Sequence, residues 1–379
     1  MDYPKSLKMK KIISILSLAA IFFACSSSDD DGNGNNDDFN KTALLTNWAD
    51  NIIVPSYLDY QANLQSLQSD VANFTASPTE ANLQSVRASW VEAYISYQNV
   101  SLFYFGKAME INLKEKTNTY PTDVSGIEAN IASSNYNLDL LSQFSKQGFP
   151  ALDYLINGLA TTDEDIVGFY STSFNSARYK QYLTDVTAKL KVNVDMVVTD
   201  WNSGYRNSYI ANNGNAISSA VNVTTNVFVK NFEKDIRAAK LGIPAGVFSN
   251  GTKFPEKVEA FYKKDISKIL LNAAIKSQQD FFNGRHFNST VTGEGLKSYL
   301  DYVNAVRNGQ NLSAIINNQF DVIFTTNNDL NNNIAGQIVN DNAKILASYD
   351  KLQQNVIYMK LDMMQALNIT IDYVDGDGD

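Results

Sequence analysis

Few side chains of this 379-residue chain could carry metal or nucleophilic chemistry, because it contains one histidine and one cysteine. A zinc or iron site needs about three protein ligands, commonly His, Cys, Asp or Glu. His286 follows a helical stretch, where a solvent-facing or C-capping role is expected. No serine lies in an elbow motif. The sequence therefore gives no support for nucleophilic catalysis and leaves carboxylates as candidates.

Asp123 is a carboxylate with a suitable local setting. It follows Pro121 in a loop after a helix, from which a side chain could project into a cleft. An Asx turn or a helix cap is the equal alternative. The terminal run 375–379 resembles the opening of a calcium loop but lacks the later glutamate, which favours a solvated acidic tail.

Cys25 is predicted to be a lipid attachment site. Lys8, Lys10 and Lys11 precede an apolar stretch, 12–23, that is too short for a permanent membrane span. A small residue, Ala24, stands directly before the cysteine, as at the cleavage site of a bacterial lipoprotein. We therefore expect a signal peptide over 1–24 and an outer-membrane lipoprotein of the cell envelope, periplasmic or surface-exposed.

Residues 25–39 are predicted to be a disordered tether, because they are mostly Ser, Asp, Asn and Gly. Ser26, rather than Asp, follows the cysteine, so that no inner-membrane retention signal of the Asp type is expected. The acidic run after it resembles surface-export tags of Bacteroidetes-like lipoproteins. A plain solvated spacer is the alternative.

The chain is acidic, with 31 Lys and Arg against 40 Asp and Glu, a formal net charge of −9. Removal of the leader makes the mature form more acidic still. Because nucleic acid requires a basic face, we expect no nucleic-acid partner. The later apolar stretches 192–198 and 314–323 are short and interrupted, so that the N-terminal lipid is the only predicted membrane contact.

Helical periodicity dominates from residue 44 onward. Ser77-Pro78-Thr79-Glu80 reads as a capping box that begins a helix ending near 105, with one buried stripe. A preceding helix, 44–74, contains Pro55 as a kink or restart. Further helices are predicted over 138–145, 150–157, 178–210, 215–240, 255–283, 293–308, 312–325 and 330–367, and an extended segment over 369–374.

Glycines and cations are expected to mark several helix ends. Gly242 and Gly284 stand at expected C-caps, and Gly246 is expected in the turn after Pro244. Arg237 and Lys240 would complement the dipole at the end of their helix.

The predicted fold class is all-α, with two antiparallel helical-bundle halves over about 40–160 and 177–368 in a domain spanning 40–379. A weak echo between 148–155 and 293–300, which share a leading Gly and a closing Tyr-Leu, is consistent with related halves.

Four segments, in order, resemble the imelysin family of bacterial envelope proteins, also known as M75 peptidase-like. They are WVEAYISYQNVSLFYFG at 90–106, YPTD at 120–123 followed by Ile127-Glu128, QGFPALDYL at 147–155, and KLGIPAG at 240–246. The third occupies the place of the family's Gly-x-His-x-x-Glu signature. The ending, 369–379, is also similar to the tail of lipoprotein members.

The resemblance implies an all-helical protein linked to iron uptake and, in some members, to peptidase activity. The pocket positions that it implies are Tyr94, Ser101, Tyr120, Asp123, Gly148, Pro150 and Asp153. The signature histidine is replaced by Pro150 and its glutamate by Asp153. On the long helix, Ser101 stands for a glutamate and Tyr94 for an arginine. Asp153 and Asp123 are the metal candidates that remain among these positions.

Our first hypothesis is a lipid-anchored, extracytoplasmic binding protein for iron or a related nutrient, with a cleft between the halves, no catalysis and envelope nutrient-uptake proteins as partners. The sequence does not identify a cofactor, and iron and haem are the ligands to be titrated first. The alternative is a metallopeptidase of M75 type with a site rearranged around Asp153, Asp123, Glu128 and His286. A surface scaffold or adhesion module is a third reading, for which the many Asn, Gln, Ser and Tyr residues are suitable.

Overall fold

The computed structural model describes residues 39–373. The leader, Cys25, most of the tether and the tail after Tyr373 lie outside the described residues. Phe39, assigned to the tether by sequence, is buried and stacks on Tyr299 with ring centroids 4.2 Å apart. Phe39 is therefore the first residue of one compact unit that contains all the described residues.

The described body is all-α, as predicted, apart from one two-stranded antiparallel hairpin. The helices are α1 Lys41–Asn47, α2 Val54–Ala76, α3 Glu80–Gln98, α4 Lys107–Glu110, α5 Leu113–Asn118, α6 Val124–Ser133, α7 Gly148–Asp153, α8 Asp163–Ser171, α9 Ser176–Asp200, α10 Arg206–Ala211, α11 Ala220–Lys230, α12 Ile243–Ala245, α13 Ser267–Phe282, α14 Leu296–Tyr302, α15 Leu312–Asn327, α16 Ile334–Asn340, α17 Asn342–Ile357 and α18 Met364–Ala366; the strands are β1 Val306–Arg307 and β2 Gln310–Asn311.

Five π-helical turns continue these helices, and two 3₁₀ turns stand apart from them. The π-helical turns are Trp48–Ile53, Tyr154–Gly158, Trp201–Tyr205, Asn231–Gly242 and Tyr358–Met363, and the 3₁₀ turns are Leu141–Lys146 and Pro255–Lys257. The first lies directly before Pro55, where the sequence predicts a kink or restart. Since proline donates no backbone hydrogen bond, a change of helical register is accommodated there.

The α3 helix begins and ends inside its predicted bounds. Its N-cap is Thr79, whose hydroxyl accepts from Asn82 N at 3.2 Å, so the assignment of Ser77 as the cap was wrong. The helix ends at Gln98 because the next amides bond three residues back, Asn99 N to Ser96 O and Val100 N to Tyr97 O. Its predicted apolar stripe is buried.

The predicted helix 255–283 was wrong over its first half. Only a 3₁₀ turn, Pro255–Lys257, forms before α13 begins at Ser267. Ala260 and Lys264 have φ of 56° and 70°, which an α-helix does not allow. The segment 258–266 instead makes its polar contacts with other helices, as described below.

Other boundaries also moved. The predicted helix 178–210 is interrupted at Gly204, whose φ of 139° is non-helical, and 330–367 divides at Asp341. Of the predicted helix 293–308, only α14 forms, and the β1–β2 hairpin follows it. Gly284 ends α13 with φ of 65°, whereas Gly242 is helical and Gly246, with φ of 87°, makes the turn expected of it.

The N-terminal helices pack with α9, which runs along both α2 and α7. The C-terminal group is formed by α15 and α17 against the helical stretch 231–242. The division of the chain at 161–176 stays a prediction. The α9 helix follows this division in sequence but contacts the N-terminal helices. No helix in 39–373 has the length and apolar character needed to cross a membrane.

Phe149→Ala should destabilise the protein strongly, because Phe149 is fully buried and stacks on Tyr94 at 4.4 Å. Loss of a buried phenyl ring leaves a cavity and costs about 3–5 kcal/mol. Urea denaturation measures the difference. Phe174→Ala is the matched control, since Phe174 is 99% exposed and its truncation should leave the unfolding free energy unchanged. Equal effects of the two changes would contradict the packing described.

Candidate functional site

Most of the sequence-predicted pocket residues converge where α3, α7 and the 113–122 segment meet the C-terminal helices. Tyr94 lies buried in α3 against Phe149, and the Trp90 indole donates to Phe149 O at 3.3 Å. Gly148 has φ of 78°, and a Cβ there would lie 2.2 Å from Thr117 O. Glycine is therefore required for α7 to approach the 113–118 helix so closely.

Two neighbouring cavities occupy this region. The larger, about 250 Å³, is lined by Tyr97, Gln98, Ser101, Lys114, Glu115, Asn118, Thr119, Tyr120, Asn231, Asp235, Ile236, Ala239 and Lys240. The smaller, about 160 Å³, is lined by Tyr120, Pro121, Thr122, Pro150, Asp153, Glu256, Val258, Ala260, Phe261 and Tyr262. Tyr120 lines both, and the two cavities are treated as one composite site. Four of the seven predicted positions line it: Ser101, Tyr120, Pro150 and Asp153.

A buried polar network stands behind these cavities. Lys240 Nζ forms a short ion pair with Glu259 Oε2 and donates to Gln98 Oε1 at 3.0 Å. Asn118 Nδ2 donates to Glu259 Oε1 at 2.7 Å and its oxygen accepts from the Tyr94 hydroxyl. Lys240 is 5% and Glu259 2% exposed. The pair thus joins the 231–242 stretch, the 258–266 segment, α3 and α5.

The expected dipole role of Lys240 and Arg237 was wrong, because the stretch 231–242 continues into α12 and the helix ends only at Ala245. Both side chains are also buried. Arg237 donates to Tyr349 Oη at 2.9 Å and stacks over that ring. Gln98, Asn118 and Glu259 were not anticipated. The one available signal was Lys240 itself, a cation at a position that the resemblance already marked.

A second polar layer lines the mouth of the larger cavity. Lys114 Nζ lies 3.1 Å from Asp235 Oδ1, and the Tyr104 hydroxyl donates to Glu115 Oε2 at 2.6 Å. Asn231 donates to Asp235 at 3.1 Å. Each carboxylate of this layer therefore has a cation, amide or phenol as a partner.

The tyrosines of the site are protonated hydrogen-bond groups at neutral pH. Burial, followed by the charge of Glu259, raises the pKa of Tyr94 and of Tyr120 well above the ordinary value. Such phenols donate hydrogen bonds and cannot act as general bases near neutrality.

Asp153 is buried and fixed by three N–H groups. The amides of Tyr262 and Lys263 donate to its carboxylate at 2.8 and 2.9 Å, and Asn157 Nδ2 donates at 3.0 Å. These contacts occupy three of the roughly four lone-pair sites of the carboxylate. Pro150, one turn earlier, contributes no donor atom.

The other metal candidates lie apart from Asp153 or are engaged elsewhere. Asp123 caps α6 by accepting from Gly126 N at 2.9 Å. Glu128 accepts from the hydroxyls of Tyr154 and Tyr179 at 2.7 and 2.6 Å, and His286 lines a different cavity. Within 39–373 no three His, Cys, Asp or Glu side chains are grouped as metal ligands.

Fold and site together define an all-helical protein with a small polar cavity between its N-terminal and C-terminal helices. The sequence model of imelysin, peptidase family M75, matches residues 53–357, and the chain belongs to this family. Iron-regulated protein A of Synechococcus elongatus is 28% identical over 119 residues, which are 30% of this chain and 32% of that protein. The match spans about a third of that relative's length.

Two solved structures are similar in fold. One, assigned as an iron-regulated protein A precursor from Parabacteroides distasonis, has a TM-score of 0.67 at 16% identity over 85% of this chain and 95% of its own. An imelysin-like protein from Psychrobacter arcticum has a TM-score of 0.67 at 15% identity over 88% and 97%. These similarities establish the all-α imelysin-like fold.

Asp153→Asn should alter the pH dependence of stability. Burial raises the pKa of Asp153 to about 7, against a value near 4 when unfolded. A raised folded pKa contributes stability that is full below about pH 4 and is lost as pH rises to about 7. We expect the wild-type unfolding free energy to fall, relative to the variant, by up to about 1.4 kcal/mol per pH unit in this window.

Urea denaturation from about pH 4 to 7 measures this difference. Asp350→Asn is the control, since Asp350 is exposed and its replacement should give a difference that does not vary with pH. A constant difference for Asp153→Asn would refute the raised pKa.

Lys240→Met and Glu259→Gln should each destabilise the protein by about 3–5 kcal/mol, because each leaves a buried polar group without its partner. The double variant should cost clearly less than the sum of the two. A double-mutant cycle by chemical denaturation measures the coupling. The same cycle on the exposed pair Lys344–Asp341 should give far smaller coupling. Additive costs at Lys240 and Glu259 would contradict the pairing.

Proposed function

We propose that this chain is a lipid-anchored, extracytoplasmic binding protein that takes part in the uptake of iron or a related nutrient and has no catalytic role. The observation that carries the proposal is that the composite site has two cavities, while the positions that align with the signature hold Pro150 and an Asp153 that already accepts three hydrogen bonds. A site of this kind can bind and orient a ligand, and among the described residues no three potential metal ligands are grouped in it.

The residues present do not fit a bare iron ion. The carboxylates of Asp235 and Glu259 are paired with Lys114 and Lys240, so that a cation would have to displace an ammonium group. Hydroxyls and amides of Ser101, Tyr120 and other lining residues suit a polar ligand instead. We therefore favour a nutrient bound as a small complex whose own donors surround the metal.

The size of the larger cavity supports a small ligand. Its volume of about 250 Å³ lies below the range of about 300–1,000 Å³ that is usual for drug-sized ligands. Haem, a much larger ligand, would require the walls of this cavity to move. The name of the Synechococcus relative supports a connection with iron.

The envelope location rests on the sequence before the described residues. A basic start, a short apolar stretch and Ala24-Cys25 support export and lipidation, with the body held at the outer membrane by its lipid. The partners proposed are envelope proteins of nutrient uptake, on the periplasmic side or at the cell surface.

Binding can be tested on protein that begins at Phe39. We expect equilibrium dialysis against ferric citrate, followed by elemental analysis, to give about one iron per chain. Dialysis against ferrous ion alone should give none. Tyr120→Phe should weaken retention by about two- to tenfold, because a hydroxyl shared by both cavities is lost. Tyr302→Phe, at an exposed ring, is the control.

A peptidase assay on the same preparation distinguishes the alternative peptidase function from the proposed binding function. Metal-dependent cleavage of unfolded casein that disappears in Asp153→Ala would overturn the proposal. Iron retention that is equal in Tyr120→Phe and wild type would place the ligand elsewhere and would also count against it.

A further inference from the structure

A second and larger cavity, separate from the composite site, opens beside the end of α13. Its volume is about 700 Å³, inside the range of about 300–1,000 Å³ typical of small-molecule sites. Ile52 and Phe281 supply buried apolar surface, and Phe287 adds a third apolar side chain. The rest of the lining is polar: Ser56, Asn99, Lys276, Ser277, Asp280, Arg285, His286, Asn288, Ser289 and Thr290.

The loop that walls this cavity is held at both ends. Asn47 Nδ2 donates to Gly284 O at 2.9 Å and to Glu294 O at 2.8 Å, which clamps the two ends of the loop. Gly293 N also donates to Gly284 O at 2.9 Å. Midway, Phe287 N donates to Asn51 O at 2.7 Å. The cavity is therefore preformed, which lowers the entropic cost of binding.

The charges of the lining leave a positive surplus in an otherwise acidic chain. Lys276 and Arg285 both contact one carboxylate, Asp280, and Arg285 Nε lies 3.1 Å from Asp280 Oδ1. One negative charge cannot neutralise two cations, and the other lining side chains carry no acid. Among the described residues, the side chains of Asn99 and Ser277 make no hydrogen bond and remain available as donors.

We propose that this cavity binds a small organic oxyanion. Its carboxylate or phosphate pairs with Lys276 and Arg285, and its apolar part contacts Ile52 and Phe281. Charge-assisted hydrogen bonds from a guanidinium and an ammonium select the anion. The apolar floor favours an organic anion over an inorganic one. This site does not depend on the function proposed for the composite site.

The single histidine makes a direct test available. His286 lines the cavity, so the imidazole NMR signals of protein purified with a histidine-free tag report on this site alone. We expect benzoate and phenyl phosphate to shift these signals with saturation at millimolar concentration. Benzamide, which has the shape of benzoate without its charge, should bind at least about tenfold more weakly. The two anions distinguish a carboxylate from a phosphate ligand.

Charge variants of the cavity are expected to change the affinity for benzoate in opposite directions. Arg285→Gln should weaken benzoate binding about tenfold, whereas Asp280→Asn should strengthen it, because the competing carboxylate is removed. Lys253→Gln, at an exposed lysine outside the cavity, should leave binding unchanged. A native far-UV spectrum confirms that each variant is folded.

Three results would overturn the proposal. They are an unshifted His286 signal at about 20 mM of either anion, equal binding of benzoate and benzamide, or weaker binding in Asp280→Asn. Loss of iron binding at the composite site would leave these measurements unaffected, so the two proposals fail independently.

Discussion

The buried ion pair between Lys240 and Glu259 is the constraint on which the site depends. Burial of two charges is costly, and the cost is offset only when geometry and additional hydrogen bonds are good. Here Gln98 and Asn118 supply those bonds from two further helices. The four segments that carry these residues are thereby held at one point, and any loss of one partner leaves an uncompensated polar group in the interior.

The same pair explains the unusual course of residues 258–266. With Glu259 directed into the interior, the chain turns through positive φ at Ala260 and Lys264 and presents two consecutive amides to Asp153. Such backbone costs of order 1–3 kcal/mol per residue and persists only when the surroundings fix it. This segment also provides Phe261 and Tyr262 to the smaller cavity. In this protein the carboxylate of Asp153 therefore anchors this segment.

The helical class and the buried stripes could be predicted from sequence, because apolar spacing in stretches such as α3 and α9 is a local property. Pocket positions such as Tyr120 and Pro150 could be reached through the family resemblance. The pairing of Lys240 with Glu259 could not, since the two residues lie 19 positions apart and meet only after the chain folds back. A helical pattern over 255–266 is overridden by these tertiary contacts, as propensity often is. Ser77 and Thr79 are both competent capping residues and lie two positions apart, so the sequence pattern alone does not decide which of them caps α3.

The most direct test of this account is native-state hydrogen exchange at the amides of Tyr262 and Lys263. These amides lie in a segment without regular secondary structure, where exchange is ordinarily fast. The account predicts strong protection in the wild-type protein and loss of that protection in Lys240→Met, because the pair holds the segment on Asp153. Rapid exchange in the wild type, or protection that Lys240→Met does not reduce, would contradict it.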